Sequence, residues 1–428
     1  MSTLLLSVIL LLSTIGAVSK ETYGQPAVGT LQPFWTTTYG GSRYDEGWGV
    51  ATDGEGNVYF AGFDRTSGAT SNVFLKKLRP DGALIWSTSW GGQYDDEAFV
   101  VIAQGGYVYV GGRTFTSFQL SSADMMLLKF QASEGALVWN RTWDGGHGYE
   151  EVDGLAVFGN SLYVSGWTTG ATSQLDLEIQ QYDVNGTLVW AHSWGTGGID
   201  EANGQLGVDD NYIYVVGHYD AGLLGSGGDA LLVAFNRADG SYAWQGTWGG
   251  SGLDDAFGMT MDSNYIYSVG ITTSFGPNQI FLLKYDKSGQ LIWSSVWEDS
   301  GSELTRSVGL GNDSSFIYVA GSSSSYGNGD FDVVLLKYDQ NGNQLWAKTW
   351  GGAKLDRSHA IAVNDPFIYI AGDTFSTGAG GEDAFLLKVD TEGGNTIPEF
   401  GPLMLPILVV TMTVCLASLR RLRRVAEP

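Results

Sequence analysis

Residues 57–98 read NVYFAGFDRTSGATSNVFLKKLRPDGALIWSTSWGGQYDDEA, and they contain one copy of every element from which the chain is built. The first element, aliphatic-Tyr-x-x-Gly, sets Tyr59 three residues before Gly62. It recurs at Tyr109, Tyr163, Tyr214, Tyr267, Tyr318 and Tyr369, each with its glycine, at a spacing of about 51 residues. The second is an apolar strand that opens on Asp or a relative and often closes on Lys-aromatic, at Asn72, Asp124, Asp176, Asp229, Gln279, Asp332 and Asp383. The third is Gly-x-x-x-Trp with a second aromatic four residues on: Trp86/Trp90, Trp139/Trp143, Trp190/Trp194, Trp244/Trp248, Trp293/Trp297 and Trp346/Trp350, with Trp35/Tyr39 near the N-terminus. Side chains alternate along a strand, so a spacing of four puts both rings of a pair on one face. The fourth element is usually Gly-Gly, a short turn, one or two acids and a small-residue strand, as in Asp254, Asp255 and Ala256 to Met261.

Four short strands make one twisted antiparallel sheet, which cannot bury both of its faces alone. Seven such sheets stacked radially bury them all. The phase of the repeat predicts how the ring closes. A Trp-strand from Gly29 to Tyr39 precedes the first complete set, while the last set, ending near Asp390, has none of its own. The expectation is therefore an all-β, seven-bladed β-propeller over residues 28–390, with four-stranded antiparallel blades. The N-terminal strand supplies the outer strand of the last blade and removes the open edge. The small-residue strand is innermost, because Gly49, Val100, Gly154, Gly204, Gly258, Ser307 and Ala360 share one position and only small side chains fit near a crowded axis.

With Asn57 to Gly62, Leu75 to Trp86 and Gly91 to Ala98 as the matching stretches, the repeat resembles SBBP-type β-propeller repeats over most of the chain. That resemblance implies the fold and a surface location, and says nothing of chemistry. The Gly-x-x-x-Trp element also resembles the blades of quinoprotein dehydrogenases, in which tryptophans dock neighbouring blades. No local counterpart of their calcium-quinone site is recognisable, so the likeness is read as packing.

Composition narrows the function. A net charge of −24 argues against a nucleic-acid partner. The single cysteine, Cys415, excludes a disulfide or thiolate metal site from the repeats. Residues 1–19 read as a signal peptide, with an apolar run from Leu4 to Leu12 and small residues to Ser19. Residues 391–401 read as a linker and sorting motif, 402–419 as a transmembrane helix, and 420–428 as a basic tail whose Arg420, Arg421, Arg423 and Arg424 face the cytoplasm by the positive-inside rule. Ile397, Pro398, Glu399 and Phe400, followed by the apolar span and the arginines, resemble the PEF-CTERM sorting tails of archaea. The resemblance implies processing by an archaeosortase-like enzyme and an exported protein anchored at the cell surface to the membrane or envelope; the propeller itself is expected to be monomeric.

Two constellations are candidates for chemistry. One is acidic: Asp45, Asp96, Asp200, Asp254, Glu303 and Asp356, each just before an inner strand and most with a second acid beside them, could gather at one mouth of the channel and hold Ca²⁺. A repeated structural role in turns accounts for them as well. The other is the inner-strand position shared by Trp48, Phe99, Asp153, Asn203, Phe257, Arg306 and His359, whose polar members Asp153, Asn203, Arg306 and His359 suggest a ligand site. Histidines 147, 192 and 218 fall at unrelated positions, which leaves zinc without support. Asn140, Asn185 and Asn312 open glycosylation sequons. No nucleophile elbow, P-loop or dinucleotide fingerprint occurs in the required context. The first expectation is a non-enzymatic surface module that binds, adheres or scaffolds through a protein or glycan ligand. The alternative is an extracellular glycosidase or lyase that uses carboxylates at the channel mouth.

Overall fold

The computed structural model describes residues 26–394, apart from 66–69, 118–121, 147, 170–174, 221–226 and 298–300. Among these residues no helix is long and apolar enough to cross a membrane. The signal-peptide, transmembrane and Pro-Glu-Phe segments lie outside the described residues.

The strands form seven sheets, each built outward from the axis. In the first blade the order is Glu46–Thr52, Val58–Asp64, Asn72–Leu78 and Leu84–Trp90. The two middle strands are covered on both faces, which explains why they read as unbroken apolar runs instead of alternating ones. The seven motif tyrosines are buried in these middle layers. Several keep their hydroxyl satisfied, as when Tyr59 donates to Asp53 at 3.0 Å and Tyr214 to Asp209 at 2.8 Å.

Closure occurs where the phase of the repeat requires it. Trp35–Tyr39 pairs antiparallel with Asp383–Asp390, in register from Trp35↔Lys388 to Tyr39↔Ala384. The segment Gly29–Tyr39, expected as one strand, is however two. Val28–Thr30 lies parallel to Gln344–Trp350 as a fifth strand on the sixth blade. Pro33 has no N–H to donate, so the ladder stops and the chain crosses to the seventh blade. Leu31 is buried in the crossing, against Leu335, Phe385 and Leu387. The N-terminus thus ties down two blades.

A second repeated device joins neighbouring blades. Buried Lys77, Lys129, Lys284, Lys337 and Lys388 each donate to a carbonyl in a turn of the next blade, and in four cases the indole N–H of the adjacent Trp reaches the same oxygen. At the seam, Lys388 Nζ lies 2.8 Å and Trp35 Nε1 3.2 Å from Pro80 O in the first blade. Each ammonium also lies over the ring of a buried motif tyrosine, as Lys129 Nζ does over Tyr109. The charge is therefore buried with partners, which a lysine needs in order to be buried at all.

Candidate functional site: the mouth of the central channel

One irregularity repeats around the axis. In six blades the register between the inner and second strands slips by one residue, at Gly47/Gly49, Ala98/Val100, Val152/Gly154, Ala256/Gly258, Thr305/Ser307 and Ser358/Ala360. The residue in the slip is Trp48, Phe99, Asp153, Phe257, Arg306 or His359. In the fourth blade the chain carries one residue more, and the inner strand breaks between Asp200–Ala202 and Gly207–Val208, releasing Asn203. These are β-bulges, which re-aim a side chain that regular pleating would direct elsewhere. All seven residues line one central cavity of about 70 Å³. At ~10–15 Å³ for each water, that space takes a few waters or one group of a larger ligand.

The glycine three residues after each motif tyrosine makes the bulge possible. A Cβ on Gly62 would lie 2.0 Å from Glu46 O, and one on Gly372 would lie 1.8 Å from Arg357 O. The bulge turns the inner carbonyl onto the second strand, and only glycine leaves room for it. The small residues nearest the axis serve the same end between blades: a Cβ on Gly204 would meet Phe257 O at 2.2 Å.

All four polar residues proposed from the repeat are therefore brought together. The Arg306 guanidinium lies 5.0 Å from the Trp48 ring and 5.2 Å from that of Phe257, with no hydrogen bond or ion pair to any described residue. Burial pulls it below the usual guanidinium range, although Asp153, Asp255 and Glu151 oppose this. Asp153 Oδ2 is buried without a partner, and Asn203 donates to Asp255 Oδ1 at 3.1 Å. His359 stacks on Trp48 at 4.0 Å and an interplanar angle of 14°. Its Nε2 bonds Asp373, and its Nδ1 has no partner.

The acidic residues divide, because neighbours in a strand face opposite ways. The first of each pair holds the turn behind it. Asp45, Asp96, Asp254 and Asp356 accept from the backbone N–H of Gly41, Gly92, Gly250 and Gly352 at 2.7–2.9 Å, and Asp200 accepts from Thr196 N at 2.6 Å. Glu303 accepts from the Ser325 hydroxyl at 2.9 Å. No three of these six bring ligand atoms together among the described residues. The second members, Glu46, Glu97, Glu151, Glu201 and Asp255, face the mouth. Burial pushes Asp255 up to about 7, aided by the Glu201 charge and opposed by Asn203 and Arg306. Burial likewise raises Glu46, Glu201, Glu151 and, most strongly, Asp153.

The repeat reading missed the residues behind this ring. Arg113 bridges Glu97 and Glu151, both at 2.6 Å, and so ties the second blade to the third. Arg357 holds Asp373 at 3.0 Å and reaches Glu382. Burial favours protonated Asp373, but His359 and Arg357 outweigh it and keep this carboxylate well below its ordinary range. Glu46, His359 and Asp373 lie close enough to share an ion. Three of their atoms are already engaged, Glu46 Oε2 by Trp48 Nε1 at 2.8 Å and His359 Nε2 with Asp373 Oδ1, which leaves His359 Nδ1 open. Arg113 and Asp373 both follow the motif glycine directly, a position that also holds Phe63, Trp167, His218, Ile271 and Ser322. Comparing the repeats at that position would have singled them out.

Fold and site together define a closed seven-bladed β-propeller with a polar, aromatic-lined pocket at one end of its channel. Residues 175–395, from the third blade to the end of the seventh, match the PQQ_2 family model, described as outer membrane protein assembly factor BamB, and the chain belongs to that family. No curated protein matches the sequence. Among solved structures, the Neurospora crassa Pan2 WD40 domain matches with a TM-score of 0.51 at 11% identity, over 86% of this chain and 98% of that one. The WD40 β-propeller domain of Doa1 matches with a TM-score of 0.50 at 11% identity, over 86% and 100%. The quinohemoprotein alcohol dehydrogenase ADHIIG of Pseudomonas putida HK5 has a TM-score of 0.46 at 15% identity, over 87% and 78%.

Proposed function

We propose that the chain is an exported propeller, held at the cell surface by its C-terminal segment, that binds a glycan at the mouth of the channel. The observation that carries this reading is the ring of bulged residues: among the described residues Arg306 has no hydrogen-bond or ion-pair partner and Asp153 Oδ2 has none, with Trp48, Phe99 and Phe257 between them. Sugar hydroxyls donate to carboxylates and accept from a guanidinium, and a sugar's apolar face packs on indole or phenyl rings. A polyhydroxyl ligand therefore matches all the groups present. The pocket is small enough that only one residue of a glycan, or its edge, enters. Export and anchoring draw their support from the apolar segments at the two ends and from the arginines after the second.

A second reading, hydrolysis or elimination of the glycan, is favoured by one observation. Asp255 is pushed up to about 7 beside other carboxylates, as a general acid requires. Glycan-array binding with turnover assays on the same ligands separates the two. Binding without product, lost at least tenfold in Arg306→Ala, supports the binding module. Product formation abolished by Asp255→Asn would establish the enzyme, and no binding to any glycan would refute both.

A further inference from the structure

We propose a hard divalent cation site, of calcium type, at the junction between the second and third blades, formed by Asp124, Asp144 and Glu150. It lies in the turn layer outside the channel ring, so it is independent of the glycan site.

Five junctions are built to one plan. In each, an acid or amide at the start of the third strand closes on a bare glycine that follows the second aromatic, and in four of them the first acid of the next inner strand closes on it too. A Cβ on Gly249 would lie 2.4 Å from Asp254 Oδ2 and 2.6 Å from Asp229 Oδ1. On Gly40 it would lie 2.4 Å from Asp383 Oδ1 and 2.6 Å from Asp45 Oδ2, and Gly91, Gly195 and Gly351 are as crowded. Any side chain there forces the two groups apart.

The junction after Trp143 departs from that plan in three ways, the first being a turn one residue longer from Trp143 to Glu150 than from Trp90 to Asp96. Asp144 stands where those five have glycine, and Glu150 stands where Asp45, Asp96, Asp200, Asp254 and Asp356 stand. The bare-glycine contact is thus absent directly after the aromatic, and the residue that stands there brings a third carboxylate. Ligand atoms of Asp124, Asp144 and Glu150 all lie within 4.8 Å of one another. Glu150 is 1% exposed. Its Oε1 accepts from Thr168 Oγ1 at 3.2 Å, while its Oε2 is buried without a partner among the described residues. Asp144 Oδ1 accepts from Gly146 N at 2.6 Å, which fixes the turn and leaves Oδ2 over.

Three like charges this close repel, and a buried carboxylate oxygen without a donor costs ~1–3 kcal/mol or more. No lysine or arginine pairs with any of the three among the described residues. A cation removes both costs, and three carboxylates with the Thr168 hydroxyl and water supply the oxygen ligands Ca²⁺ takes.

The test uses the full chain, stripped with chelator and titrated with Tb³⁺ and then Ca²⁺. The Trp143 ring lies 2.9 Å from where a Cβ of Gly145 would be, close enough to the turn to sensitise bound Tb³⁺. The expected result is sensitised emission that Ca²⁺ displaces, together with a rise in melting temperature on adding Ca²⁺. Both should be lost at least tenfold in affinity in Asp144→Gly, which installs the residue the other turns carry and so folds, and in Glu150→Gln. Absence of Ca²⁺-dependent stabilisation in the parent, or equal Tb³⁺ emission in parent and both variants, would overturn the site. Glycan binding is expected to persist in Asp144→Gly, so failure of this site and failure of the glycan reading are told apart.

Discussion

Replacing Trp35 by Ala tests ring closure with an internal control. Trp35 is half-buried, lies 6.1 Å from Tyr369, covers Gly82 of the first blade and donates to Pro80 O at 3.2 Å. Trp86 occupies the same place one blade on: half-buried, 6.0 Å from Tyr59, over Gly135 and 3.2 Å from Ala132 O. Removing such a ring returns roughly 150 Å² to solvent at ~25 cal/mol per Å², or about 4 kcal/mol. The hydrogen-bond share is small, about 0.5 kcal/mol, because Lys388 still reaches Pro80 O and Lys77 still reaches Ala132 O. Each substitution should therefore cost ~3–5 kcal/mol, against ~5–15 kcal/mol for a whole domain. Denaturant midpoints followed by far-ultraviolet circular dichroism measure both. If the N-terminal strand closes the ring, Trp35→Ala and Trp86→Ala fall together. A silent Trp35→Ala beside a costly Trp86→Ala would mean that the seventh blade stands without its outer strand, and closure would be refuted.

Three further outcomes are expected. Gly62→Ala should destabilise by more than ~3 kcal/mol, since its Cβ meets Glu46 O at 2.0 Å, and a melting temperature within a degree of the parent would contradict the bulge geometry. Asp255 rises from an ordinary 3.8 to about 7 on folding, so between pH 4 and 7 the folded state holds a proton that the unfolded state has released, and stability falls as pH rises through that window. Asp255→Asn should flatten the slope by up to ~1.4 kcal/mol per pH unit, measured as denaturation midpoints across the range. Lys129→Met should leave the fold intact but cost ~1–3 kcal/mol by denaturant titration, because Trp139 keeps the Val184 carbonyl satisfied at 3.3 Å.

Blade number, strand order and closure were legible because each rests on a feature repeated around the ring. A tryptophan every fourth residue or a small residue at the axis stands out when it recurs at one spacing. The position that lines the cavity was legible for the same reason: against Trp48, Phe99 and Phe257, the polar Asp153, Asn203, Arg306 and His359 break a pattern. What makes that position face the channel was not evident, since a bulge leaves no residue of its own in the sequence. Its trace is indirect, in the motif glycine opposite the turned carbonyl, as Gly372 faces Arg357 O. The acidic pairs illustrate the converse. Strand alternation already forbids Asp254 and Asp255 from facing the same way, and they divide between the turn layer and the mouth. Cross-blade partners such as Arg113 with Glu151 depend on how neighbouring sheets are set, which no single repeat encodes.

The channel reading is tested most directly at Arg306. In a Cys415→Ser background, Arg306→Cys places a single thiol, and its rate of modification by a small methanethiosulfonate reagent can be followed with and without the array-selected glycan. A tenfold or greater slowing at saturating glycan is expected, with the same glycan leaving a control thiol from Ser87→Cys, on the outer strand, unaffected. An unchanged rate at Arg306→Cys under saturation would place the ligand elsewhere and contradict the account.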